Sequence, residues 1–198
     1  VAGSAADIYN VTRTGTNDIL LRGSAGADTY NVTLGSLRGK VRVDDDGGRT
    51  GDLDYLNIVS TLASELTLSD VTGSATSSIR QNNALGTLQE VNFAAAYNNV
   101  DRLNVTAQKA PVRFVANAGG TPVWVADVRG SLAVDAASID WVGGIRAGSI
   151  DFKSAAAYTV TYDLVTRNNG SLSLFTANGD IKLVKGLYSV AANVEGIG

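Results

Sequence analysis

One short motif recurs along this chain and limits how the backbone can be arranged. Ala27-Asp-Thr-Tyr-Asn-Val-Thr33 repeats Ala6-Asp-Ile-Tyr-Asn-Val-Thr12 with a single change, 21 residues on. Looser copies follow at Asp54-Tyr-Leu-Asn-Ile-Val59 and Asp101-Arg-Leu-Asn-Val-Thr106. The steps between the aspartates are 21, 26 and 47 residues, and the last equals the first two together, which predicts a degenerate unit between Asp54 and Asp101. Within each copy apolar residues alternate with polar ones, the period of a half-buried strand. A strand and a Gly/Asp turn repeating near 20 residues predicts stacked β-structure. Tyr9, Tyr30, Leu56 and Leu103 then hold equivalent, core-facing positions.

The second half keeps the rhythm with other residues. Gly-Ser-(Leu/Ile) opens predicted strands at Gly130, Gly148 and Gly170, with an earlier copy at Gly35. Ser138-Ile-Asp-Trp141 and Ser149-Ile-Asp-Phe152 are near-duplicates 11 residues apart, which places Asp140 and Asp151 at equivalent positions of neighbouring repeats. Turn residues recur throughout and helical periodicity is missing, so strands dominate and no helix exceeds about three turns. The expected fold is all-β, a right-handed parallel β-helix or β-solenoid with degenerate coils of roughly 20 residues. Residues 1–110 form one segment and 111–198 its continuation, within one continuous domain.

Composition removes several kinds of chemistry. With no Cys and no His, disulfides, thiol nucleophiles, His-based triads and the usual zinc ligands are excluded. A net charge of −3 argues against a nucleic-acid partner. No apolar run reaches the roughly 18 residues of a membrane-spanning helix. A Cys-free, acidic chain rich in Gly and Asn suits an extracellular or cell-surface location. Val1 in a chain without Met points to a processed product or a fragment.

Gly23-Ser-Ala-Gly-Ala-Asp-Thr-Tyr-Asn31 resembles the RTX nonapeptide, and Gly47-Gly-Arg-Thr-Gly-Asp-Leu-Asp-Tyr-Leu56 is similar to it. Gly170-Ser-Leu-Ser-Leu-Phe-Thr-Ala-Asn-Gly-Asp-Ile-Lys-Leu-Val184 resembles filamentous-haemagglutinin-type β-helix repeats. Taken together, the chain resembles a segment of the large repeat-built surface proteins of some bacteria. The first resemblance implies calcium held by turn aspartates; the second implies a shaft of a secreted adhesin.

The densest acidic stretch holds Asp44, Asp45, Asp46, Asp52 and Asp54. Calcium takes six to eight oxygen ligands, and carboxylates so close repel unless solvated or bridged by a cation. These five residues are therefore the candidate calcium ligands, against a solvated turn as the alternative. Asn10, Asn31, Asn57 and Asn104 are read as an inward or turn-facing ladder of amides, although Asn10, Asn31, Asn104 and Asn169 also begin glycosylation sequons. Asp135, Asp140 and Asp151 are the candidates for paired carboxylates in glycoside chemistry, with Trp124 and Trp141 as sugar platforms or core residues. The leading expectation is a non-enzymatic structural or adhesive shaft, its ends stacking head to tail on other copies or on more of a longer chain. Surface polysaccharide is a further expected partner. A carbohydrate-active β-helix enzyme and a calcium-dependent matrix or lattice module are the alternatives.

Overall fold

The computed structural model describes residues 5–45, 52–71, 77–93, 100–116, 124–188 and 191–196. Their regular structure is entirely strand: β1 (Ile8–Val11), β2 (Ile19–Leu21), β3 (Thr29–Leu34), β4 (Val41–Val43), β5 (Asp54–Ser60), β6 (Leu66–Ser69), β7 (Ser77–Asn82), β8 (Leu88–Phe93), β9 (Val100–Val115), β10 (Trp124–Trp141), β11 (Gly144–Ser154), β12 (Tyr158–Val160), β13 (Leu164–Thr166), β14 (Ser171–Thr176), β15 (Ile181–Leu183), β16 (Leu187–Tyr188) and β17 (Ala191–Gly196). No helix occurs among the described residues, and none is therefore long and apolar enough to cross a membrane.

The strands pair, mostly in parallel, in three columns, with β12 and β15 as a separate parallel pair. In the first, Tyr9, Tyr30, Leu56, Leu103, Leu132, Ile150, Leu172 and Ala192 stand opposite one another in succession. Burial alternates along each strand, as in β5, where Leu56 and Ile58 face inward. The predicted equivalence of Tyr9, Tyr30, Leu56 and Leu103 therefore holds. The last three are fully buried, and half-buried Tyr9 stacks on Tyr30 with ring centres 5.1 Å apart. The Gly-Ser-(Leu/Ile) copies at Gly130, Gly148 and Gly170 belong to this same column, so two unlike motifs mark one position.

The second column runs through β2, β4, β8, β7, β6 and the ends of β9 and β10. The third joins the starts of β10 and β11 to β13 and β16. The long strands β9, β10 and β11 serve more than one column, bending at register shifts such as that between Ala136 and Ser138. Strand β9 runs across residue 110, and one core cluster draws on both sides of it. Among the described residues its aromatic centre is Phe114, Trp141, Phe152 and Tyr158, with neighbouring rings 5.7–6.1 Å apart.

Three sequence expectations are corrected. No first-column unit lies between Asp54 and Asp101, because Leu56 pairs directly with Leu103, 47 residues on. The additional chain instead supplies the antiparallel strands β7 and β8, inserted between β4 and β6 in the second column. Asp140 and Asp151 are not equivalent: Ile139 pairs with Val112 in the second column, whereas Ile150 pairs with Leu132 in the first. Finally, Gly35 follows β3 instead of opening a strand of the first column, and its φ of 135° marks a turn.

Candidate metal centre at the aspartate corner

The corner that leads into the first column is occupied two residues before each register position. There Asp7, Asp28, Asp54 and Asp101 give way to Gly130, Gly148 and Gly170. Each aspartate carboxylate caps the layer before it. The Asp7 amide donates to Asp28 Oδ1 at 2.7 Å, the Asp28 amide to Asp54 Oδ1 at 2.8 Å, and the Asp54 amide to Asp101 Oδ2 at 3.3 Å. Arg129 ends the series by pairing with Asp101 at 3.4 Å. A backbone N–H leaving a sheet at a corner needs an acceptor, and this ladder supplies one per layer.

Asp45, in the chain leaving β4, brings a third carboxylate between two members of the ladder. Oxygens of Asp28, Asp45 and Asp54 lie within 4.8 Å of one another, and all three residues are buried. Tyr30 donates its hydroxyl to Asp45 Oδ2 at 2.8 Å, and the Ser24 amide reaches Asp28 Oδ2 at 3.3 Å. Asp54 Oδ2 is buried without a hydrogen-bond partner. Burial, reinforced by the charges of Asp45, Asp101 and Asp28, pushes the Asp54 carboxyl up to about 7 despite the hydrogen bond from the Asp28 amide. The Tyr30 hydroxyl is pushed far above its ordinary value by burial and by its bond to Asp45.

The donor set fits a hard cation. Three buried carboxylates gathered this closely are the all-oxygen kind of donor set that calcium takes, at about 2.3–2.6 Å per ligand. Gly23 leaves the cluster open on one side: a Cβ there would lie 2.3 Å from Asp28 Oδ2 and Tyr30 Oη, and 2.5 Å from Asp45 Oδ2.

Of the five predicted ligands, Asp45 and Asp54 therefore meet. Asp44 turns away to Arg22 at 3.0 Å and Arg42 at 3.8 Å. Asp52 accepts from the Gly26 amide at 3.2 Å. Asp46 lies outside the described residues. Asp28, the less expected candidate on sequence, is the third member of the cluster and occupies the same motif position as Asp54.

The other candidates resolve into structural roles. Asn31 Nδ2 donates to Asn10 Oδ1, Asn57 Nδ2 to Asn31 Oδ1 and Asn104 Nδ2 to Asn57 Oδ1, at 2.7–2.8 Å. The ladder exists, but it stands on the outer face opposite the buried Tyr and Val positions, not inward. Replacing Asn57 with Ala removes two of these bonds. The expected loss, measured by urea denaturation, is about 1–2 kcal/mol. Asp135 accepts from Gln108 at 2.7 Å, Asp151 pairs with Lys153 at 3.4 Å, and Asp140 pairs with Arg113 at 3.4 Å in the second column. Trp141 is a core residue, and half-buried Trp124 lies beneath the Arg146 guanidinium, 4.8 Å from its carbon. No family model, curated protein or solved structure matches the chain.

Proposed function

We propose that the chain is a stretch of right-handed parallel β-solenoid serving as a non-enzymatic shaft or adhesive segment of an extracellular or cell-surface assembly. One observation carries this reading: the single register position followed through eight successive strands, from Tyr9 to Ala192. Parallel connections within a sheet are right-handed in nearly all proteins. Seven steps of about 4.8 Å give a stack of roughly 34 Å. Each layer buries its apolar face against its neighbours, which suits a part that is lengthened by adding layers and joined head to tail to further copies or further chain. Calcium at Asp28, Asp45 and Asp54 fastens the early layers in this reading, tying the turn after β4 to the entries of β3 and β5.

Removing one whole layer tests it. Deleting residues 149–170 joins Gly148 to Ser171, which restores the Gly-Ser-Leu sequence at the corner. A solenoid survives as a shorter stack, with a cooperative urea transition and a strand-type circular dichroism spectrum. An unfolded product would count against it, because a fold held by contacts between distant layers does not tolerate this loss.

A further inference from the structure

Where glycines replace the buried aspartates at the corner, arginines line the surface. A groove of about 430 Å³ runs over Gly130, Gly148 and Gly170, with Ser131 and Ser149 along it, Arg102 at one end and Arg167 at the other. None of its lining residues is acidic, in a chain of net charge −3. The bare floor has a packing cause: a Cβ on Gly130, Gly148 or Gly170 would lie 2.8, 2.7 or 1.5 Å from a neighbouring backbone oxygen. The glycines therefore explain the groove but not its charge.

The arginines supply the second observation. Arg102, Arg129, Arg146 and Arg167 gather at this corner around Asp101 and Asp127. Asp101 is buried and engaged by Arg129 and the Asp54 amide; Asp127 faces both Arg146 and Arg167. Arg102 lies over the Tyr55 ring at 4.8 Å and donates to its hydroxyl. Arg102 is thus held by Tyr55 and Arg167 by Asp127, and each guanidinium carries five donors, so little side-chain freedom is lost when an anion is bound.

We propose that this groove binds an acidic polysaccharide, its carboxylates taken by Arg102 and Arg167 and its hydroxyls by the serine row and exposed backbone between them. Ser131 and Ser149 are register partners, so the groove repeats every layer, about 4.8 Å. A linear polymer with hydroxyls in every unit matches a repeating polar floor. A lipid finds no hydrophobic side chain there, and a nucleic acid finds no aromatic side chain on which to stack its bases. The site adds a ligand to the shaft and is independent of the calcium centre in earlier layers.

Oligogalacturonate is the probe, titrated into the whole chain by calorimetry, with dextran and a single-stranded DNA 20-mer as comparators. Saturable oligogalacturonate binding that weakens with salt, with none to dextran, is expected. Arg102→Gln and Arg167→Gln each weaken it at least tenfold, while the paired change of Arg13 and Arg38 to Gln, in a separate groove, leaves it unchanged. Folding of each variant is checked by circular dichroism, and the wild-type comparison alone already decides against the site if oligogalacturonate does not bind. Equal binding of dextran, preference for DNA, or folded arginine variants that bind normally would also overturn it.

Discussion

Asp54→Asn stabilises the calcium-free protein at neutral pH and abolishes its response to calcium. In the free protein the Asp54 carboxyl, raised to about 7 from an ordinary 3.8, is easier to keep protonated than ionised. A raised acid contributes stability that is fully present below its unfolded value and lost as pH climbs through the folded one. Calcium-free wild type therefore loses roughly 3 kcal/mol between about pH 4 and pH 8 from this group. Asparagine keeps an oxygen for the Asp28 amide and places a neutral group among the remaining carboxylates, so the variant does not pay that loss. Glu90 titrates with the opposite sign: burial works against its charge, but Arg80 and Lys40 hold it below the usual carboxylate range. The quantity to measure is consequently the difference between variant and wild type across pH, from urea midpoints in chelator. In saturating calcium the gap narrows. Wild type gains about 2.7 kcal/mol at a hundredfold excess over Kd, and the variant gains little. A calcium-independent wild type with a normal pH profile would leave the three carboxylates as a purely structural cluster.

The columns were legible wherever one residue type was kept from layer to layer. Asp-x-(Tyr/Leu)-Asn repeats because three separate requirements coincide there: a corner N–H needing an acceptor, a core position, and an outward amide that bonds along the stack. Once the corner becomes glycine the motif looks unrelated, although Leu132, Ile150 and Leu172 continue the same core line. Spacing misled where chain was inserted. The arithmetic of 21, 26 and 47 assumes one layer per step, but a sheet can take up an additional antiparallel pair in one column without disturbing the next. Length and composition do not separate the two cases, since β7 and β8 are short strands like the others, although each buries three residues in a row. The duplicated Ser-Ile-Asp failed similarly, because strand periodicity does not tell which column a strand joins.

The carboxylate cluster was half legible for a related reason. Sequence density drew attention to residues 44–54, whereas the cluster is made by stacking, which brings Asp28 beside Asp54 across 26 residues. Asp44 and Asp45 are neighbours in the chain, yet alternation sends one toward Arg22 and the other into the interior. The arginine groove gave no local signal at all. Its two lining arginines, Arg102 and Arg167, come from separate layers and reach one groove only when the corners align.

Gly170→Ala is the harshest single substitution expected in this fold. Its Cβ would lie 1.5 Å from the Gly148 carbonyl oxygen and 3.0 Å from that of Arg167, both backbone atoms that cannot rotate aside. Relief requires the corner between β13 and β14 to separate from the layer beneath. The cost is then at least about 4 kcal/mol, in the range reserved for core or backbone disruption. Gly15 has nothing within 4 Å of an added Cβ, so Gly15→Ala is the control and changes stability by less than about 1 kcal/mol. The spatial pattern of the damage matters more than its size. In a stack whose layers contact only their neighbours, the lesion frees β13 to β17 while β1 to β5 keep their pairing. Hydrogen exchange resolved by residue is the measurement. Protection lost after residue 163 but retained at Tyr30, Leu56 and Ile58 is the expected result. Uniform loss along the chain would mean that the layers unfold as one unit, and that the modular shaft proposed above is wrong.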